Sequence, residues 1–384
     1  MMDIRDASRF WWESVTEPHE YALAIAGALV AAKSVLVDVP LSLPWPDRMR
    51  DVVRQEMESV LGYECPLFED LDVGGCGDTP AEIVLDRLAL ADTRLHYRPY
   101  QESPQAYLTR TATLSHKIVW VRGVPKHRLG DWVTFIAGFS PFGSRDGLFV
   151  LCTSEGVSAE RAGSVGSLHV LPYAGRVGEA SVRLFTWAIL SSGTSSEKGV
   201  LDARYLQALL GSLCKGDVEV AAQVARIMDA GEYDPVRALS LVRRDPAFEG
   251  RGANECDHIL TLMGAGKVAE VLERVWAAQI EVIFPLIERE RQKIVGELGE
   301  PIDRVLKRRV VYQGHDRVLD VHDVEIGTLK HLIGLRTNDG SYEVYVPYAT
   351  QRRIRLLCRM RNRLAHGEVC SPDDVGLLFG GCSS

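Results

Sequence analysis

The chain has 384 residues, 46% of them hydrophobic and 25% charged, with a formal charge of -8 and a mean hydropathy of -0.03. That length exceeds what one core usually supports, and the composition is that of a globular protein, not a disordered or membrane-embedded one. Charge is unevenly placed: residues 1–100 carry nine Lys/Arg against eighteen Asp/Glu, and residues 301–366 carry thirteen against seven, so the acidic front is expected to face a protein partner and the basic back an anion.

Residues 7–33 are predicted as one helix with Trp11 and Trp12 near its start, followed by the β-branched strand "SVLVDVP". The apolar run "ALAIAGALVAAKSVLVDV" is interrupted by Lys33 and is expected to be this helix and strand, not a membrane span. The N-terminus lacks a basic signal region, and the eight cysteines are scattered without a C-x-x-C pair. A cytoplasmic protein with reduced thiols is therefore expected, with no zinc ribbon. Residues 47–61 have helical periodicity. A further helix is predicted over 79–92, with Thr79 as N-cap, Pro80 at the first position and Glu82 completing a capping box. Three more apolar runs, "HKIVWVRGV", "GLFVLCTSEG" and "SLHVLPYAG", alternate with helical stretches such as "HRLGDWVTFIAGF". That alternation predicts an α/β layer with a mainly parallel sheet.

Beyond residue 179 the pattern is almost wholly helical, with two small helices in 201–230, a looser stretch around "RRDPAFEGRGAN" and a long helix over about 256–295 that Pro285 kinks or divides. After an ambiguous region, 296–346, Pro347 opens an arginine-rich helix stopped by Gly367, and "SPDDVGLLF" forms a last helix with Ser371 as cap. The expected organisation is an α/β domain over 1–195, a small helical lid-like segment over 196–250 and an all-α bundle over 251–384.

A strand of the "SVLVDVP" type resembles the first strand of a P-loop or AAA-like NTPase. Such a protein should next supply a glycine-rich loop, a lysine and a hydroxyl for phosphate and magnesium. Here "LSLPWPDRMR" follows, with no glycine and no lysine. The resemblance therefore implies a degenerate scaffold and no active ATPase. "GAGK" at 264–267 has Thr261 and Val268 where the phosphate loop needs glycine and Ser/Thr, and is expected to be a helix irregularity or a short turn. "GRVGEA" at 175–180 reads as a turn before a helix, and Cys256 with His258 lacks further metal ligands. No metal and no cofactor are expected.

Six arginines fall between Arg352 and Arg363, and no acidic residue occurs from Val344 to Gly367. On a helical wheel Ile354, Leu357, Cys358, Leu364 and Ala365 form an apolar stripe, with Arg352, Arg355, Arg359, Arg363 and His366 opposite as a basic face suited to nucleic acid. Arg361 falls inside the stripe, where a guanidinium needs a partner. Asn362 is four residues before His366, so those side chains can share a face. The run Arg361-Asn362-Arg363-Leu364-Ala365-His366 resembles the R-N-x-x-x-H motif of HEPN domains, helical bundles found in prokaryotic antiviral systems. The resemblance implies metal-independent RNA cleavage at a dimer interface, with His366 moving the proton of the 2′-hydroxyl, Arg361 steadying the phosphate and Asn362 orienting. It implies RNA as partner and a homodimer, or a subunit of a larger complex. The rival is a non-catalytic assembly subunit of a defence or DNA-processing complex. Nucleic-acid binding without cleavage is a third reading, resting on the arginine face alone.

Overall fold

The computed structural model describes residues 4–139, 147–154, 168–191, 201–253 and 255–380. Five strands, β1 (Ser34–Asp38), β2 (Leu67–Asp72), β3 (Lys117–Arg122), β4 (Leu148–Thr153) and β5 (Leu168–Pro172), form one parallel sheet in the order β2-β3-β4-β1-β5. The sequence predicts four of them. The fifth, β2, reads "LFEDLD" and buries only Leu71. It is an edge strand held by its backbone ladder to β3, so no apolar run announces it.

The central strands alternate their side chains between two cores. Val35, Val37, Ile118, Trp120, Leu148 and Val150 face one core, and Leu36, Val119, Val121, Phe149 and Leu151 face the other. A strand buried on both faces reads as a continuous apolar run, which is why these strands are legible in the sequence. The second core is closed by α4 (Pro80–Leu88), α6 (Pro104–Arg110) and α7 (Leu129–Ala137), with the short α5 (Ala91–His96) between α4 and α6. The first is covered by α1 (Ile4–Ser14), α2 (Thr16–Val30) and α3 (Pro46–Leu61), and it continues without a break into the helical half.

Two expected helices are shorter in the structure. The one predicted over 7–33 breaks at Val15, which is extended (φ -85, ψ 121). Pro18 has no N–H for the carbonyl of Ser14 and its ring crowds that turn, so a new helix must start. Likewise α4 ends at Leu88, although the capping box forms as predicted: the Thr79 hydroxyl accepts from the Glu82 amide and the Glu82 carboxylate accepts from the Thr79 amide.

The helical half comprises α8 (Glu179–Ser191), α9 (Ala203–Cys214), α10 (Val218–Asp229), α11 (Pro235–Arg244), α12 (Ile259–Gly264) and α13 (Val268–Glu297). These are followed by α14 (Gly299–Arg308), the small antiparallel pair β6 (Tyr312–Gln313) and β7 (Asp316–Arg317), and α15 (Ile326–Leu332). The chain closes with α16 (Tyr348–Ala365) and α17 (Pro372–Phe379). The "GAGK" run is a turn between α12 and α13, with Gly266 at φ 71. The helix predicted over 256–295 is therefore two helices divided at this turn, and Pro285 lies inside the second. Among the described residues no group of His, Cys, Asp or Glu could hold a metal ion, and no helix is long and apolar enough to cross a membrane.

Leu36 is fully buried in the middle of the sheet between β4 and β5. Leu36→Ala is expected to cost about 2–5 kcal/mol by urea denaturation; a loss below about 1 kcal/mol would place this strand outside the core.

Candidate functional site

In an NTPase-like arrangement the loop after β1 and the start of α3 would receive phosphate. The backbone donors there are engaged by carboxylates of the protein itself. The Glu255 carboxylate accepts from the Ser42 amide at 3.2 Å and from the Ser42 hydroxyl at 3.0 Å. Glu219, in the first turn of α10, accepts from the amide of Trp45 at 3.0 Å. Trp45 is the N-cap of α3 and is left-handed (φ 43, ψ 64), a costly conformation for a residue with a Cβ, which its surroundings must hold in place.

Both glutamates converge with a buried charge cluster. Arg251 donates to Asp217 through Nε (2.6 Å) and Nη2 (2.9 Å), to the Ser42 carbonyl through Nη2 (3.0 Å), and lies 3.0 Å from Glu219 through Nη1. His258 Nε2 donates to Asp217 Oδ2 at 3.0 Å. Asp217 also caps α10, accepting from the Glu219 and Val220 amides at 3.1 Å each. The side chains of Asp217, His258 and Arg251 are 1%, 5% and 10% exposed. Gly252 is required beside them, because a Cβ there would lie 2.1 Å from His258 Nδ1.

Burial alone would raise the Asp217 carboxyl, but the bonds from His258 and Arg251 outweigh it and hold the group below its ordinary 3.8. Burial would likewise lower Arg251, yet Asp217 and Glu219 raise it. Burial dominates at Glu219, whose carboxyl is raised despite Arg251.

A crevice of about 290 Å³ opens beside this cluster at the carboxyl ends of β1 and β5, where open parallel sheets commonly place their ligands. Each charged group in its wall already has a partner: Lys215 pairs with Asp257 at 2.5 Å, and Arg274 donates to the carbonyls of Leu213 and Asp257. None of the clustered residues was singled out from the sequence except His258, which was weighed only as a metal ligand. The one local signal is the N-cap pattern at Asp217; the partners lie 34, 41, 174 and 213 residues apart.

The R-N-x-x-x-H residues lie elsewhere, on the last turn of α16. That turn meets the core through the buried Met360 and Leu364, while Ala365 is exposed. Arg361 is not buried in the apolar stripe, as the wheel predicts. Its side chain is 38% exposed and sits 3.5 Å from the Glu325 carboxylate and 3.5 Å from Asn362 Oδ1. Asn362 and His366 are exposed, and the helix ends at Ala365 with His366 as its C-cap and Gly367 at φ 78.

The basic face is less free than the acid-free sequence window indicates, because the acids come from other elements. Arg359 donates to Asp374 at 2.5 and 3.1 Å, Arg363 lies 3.5 Å from Glu368, and the neighbouring Arg353 pairs with Glu290 of α13. Arg352 sits over the ring of Tyr348, and Arg355 is exposed. Arg352, Arg355 and Arg359 still line a shallow cavity of about 220 Å³.

Buried Asp217 faces a guanidinium that Asp217→Asn would leave only partly compensated, so this variant is expected to lose about 3–5 kcal/mol at pH 7. The folded carboxyl is depressed, so its contribution is complete above the ordinary value of 3.8 and is lost as pH falls below it. Denaturant melts should show the gap between wild type and variant constant from pH 7 to 5 and narrowing below about pH 4; a gap independent of pH down to 3 would contradict this.

The sequence matches no family model and no curated protein. Among solved structures, the chain is similar to one in the structure of Drosophila ORC bound to AT-rich DNA and Cdc6, at 10% identity over 97% of this chain and 68% of that one, with a TM-score of 0.35. The parallel sheet flanked by helices is compatible with an NTPase-like α/β domain, joined to a mostly helical C-terminal region.

Proposed function

We propose that this chain is a metal-independent endoribonuclease of the HEPN type, acting as an RNA-targeting effector of a prokaryotic antiviral or toxin-like defence system. The observation that carries the reading is the exposure of the motif: α16 ends at Ala365, so Asn362 and His366 reach solvent and Arg361 is held by long, half-exposed contacts to Glu325 and Asn362. An exposed ion pair of that length is worth at most about 1 kcal/mol, so a phosphate can take the place of the carboxylate. The His366 imidazole accepts the proton of the 2′-hydroxyl, and the 2′-oxygen then forms a bond to phosphorus. The 5′-oxygen leaves with a proton from an imidazolium, giving a 2′,3′-cyclic phosphate and a 5′-hydroxyl. Arg361 offers its planar fork to the non-bridging oxygens. A second copy of the chain would complete the site by placing its own motif across a two-fold axis.

A second reading, a non-catalytic assembly subunit, is favoured by one specific observation. Carboxylates fill the loop after β1, and Arg359, Arg361 and Arg363 each face an acid within the chain. On that reading the acidic half docks a protein partner and the bundle drives assembly.

Purified protein in EDTA is expected to cleave RNA to cyclic-phosphate ends, with His366→Ala and Arg361→Ala each slowing cleavage about 100-fold or more. Full cleavage by His366→Ala would overturn the assignment, and an inactive wild type would leave the assembly subunit.

A further inference from the structure

The loop after β1 and the N-terminus of α3 offer amide and hydroxyl donors of the kind that bind phosphate, but the residues around them do not fit a nucleotide. Glu255 takes both donors of Ser42, and Glu219 takes the amide of Trp45. A phosphate brought to the same donors would meet two carboxylates at close range. Like charges at such range, partly shielded from water, repel strongly. The cation nearest to offset this, Arg251, is committed to Asp217, Glu219 and the Ser42 carbonyl.

The contacts join distant parts of the chain. Ser42 and Trp45 belong to the connection between β1 and α3, whereas Glu219 opens α10, and Arg251 and Glu255 flank the turns before α12. Trp12 adds a fixed point on the other side, its indole N–H donating to the Pro44 carbonyl at 2.9 Å. Backbone groups of Ser42 and Trp45 are thus held by side chains from the helical half, and that of Pro44 by Trp12 of α1.

We propose that Glu219, Arg251 and Glu255 form an intramolecular clamp in which carboxylates occupy the phosphate position, so that the helical segment is closed on the sheet constitutively and without nucleotide. The clamp joins the helical half to the loop after β1 and stands independently of the RNA-cleavage reading, since none of its residues lies in α16. Asp217 positions Arg251, and His258 in turn holds Asp217.

Hydrogen–deuterium exchange on the full chain tests this with Glu255→Gln, which keeps shape and removes charge. The expected result is faster exchange, by about tenfold or more, confined to amides of residues 40–48 and 217–264, with β3 (117–122) and α13 unchanged. Ser42→Ala, which removes one of the two donors, should give a smaller rise in the same places and serves if the glutamine variant does not fold. Unchanged exchange in both variants would overturn the clamp. So would a rise spread evenly over the chain, which would make these contacts one part of a single cooperative unit. RNA cleavage measured on the same samples should stay at the wild-type rate.

Discussion

The buried pairing of Asp217 with Arg251 is the constraint on which the rest of the arrangement depends. Arg251 reaches three acceptors in two halves of the chain, and it can do so only because Asp217, itself fixed as the cap of α10 and by His258, holds its guanidinium in one orientation. Taking these charges out of water is expensive, and an apolar substitute of equal volume is often as stable. What the ionic version adds is direction: a fork of donors and a set of carboxylates fit in one register, whereas apolar side chains slide. The loop after β1, with its left-handed Trp45, is the part of the fold that most needs such direction.

The C-terminal bundle is held by other means. One apolar core runs from α1 and the sheet through α9, α13 and α16, and that packing holds the helices that carry α16 without the clamp. That helix is anchored along its length by Arg353 to Glu290 and Arg359 to Asp374. On its last turn Leu364 still packs in the core and its carbonyl accepts from the Trp276 indole, while Asn362 and His366 are exposed and Arg361 is half-buried. The proposed chemistry thus sits at the least constrained end of a well-anchored helix. In the assembly reading, the same end is available for a partner.

Local features of this fold are legible in the sequence, and long-range polar ones are not. The four buried strands, the capping box at Thr79 and the stop at Gly367 each follow from residues a few positions apart. Strand β2 was missed because an edge strand needs no apolar run, and the break at Val15 because a helical pattern dominated the signal from Pro18. The wheel misplaced Arg361 because the face of α16 that meets the core here is centred on Leu357, Met360 and Leu364, which leaves Arg361 at its edge. The arginine window looked free of acids because Glu290, Glu325, Glu368 and Asp374 lie outside it. The absence of a phosphate loop was visible from "LSLPWPDRMR", but what stands in its place was not, since Glu219 and Glu255 lie about two hundred residues away and carry no local mark.

The account is tested most directly by titrating the wild-type protein with magnesium ATP in a calorimeter. If the chain's own carboxylates hold the loop after β1, no saturable binding should appear up to about 1 mM nucleotide, corresponding to less than about 4 kcal/mol of binding free energy. Stoichiometric binding in the micromolar range would contradict it, because a nucleotide could then displace Glu255 and Glu219 from the donors that they are held to occupy.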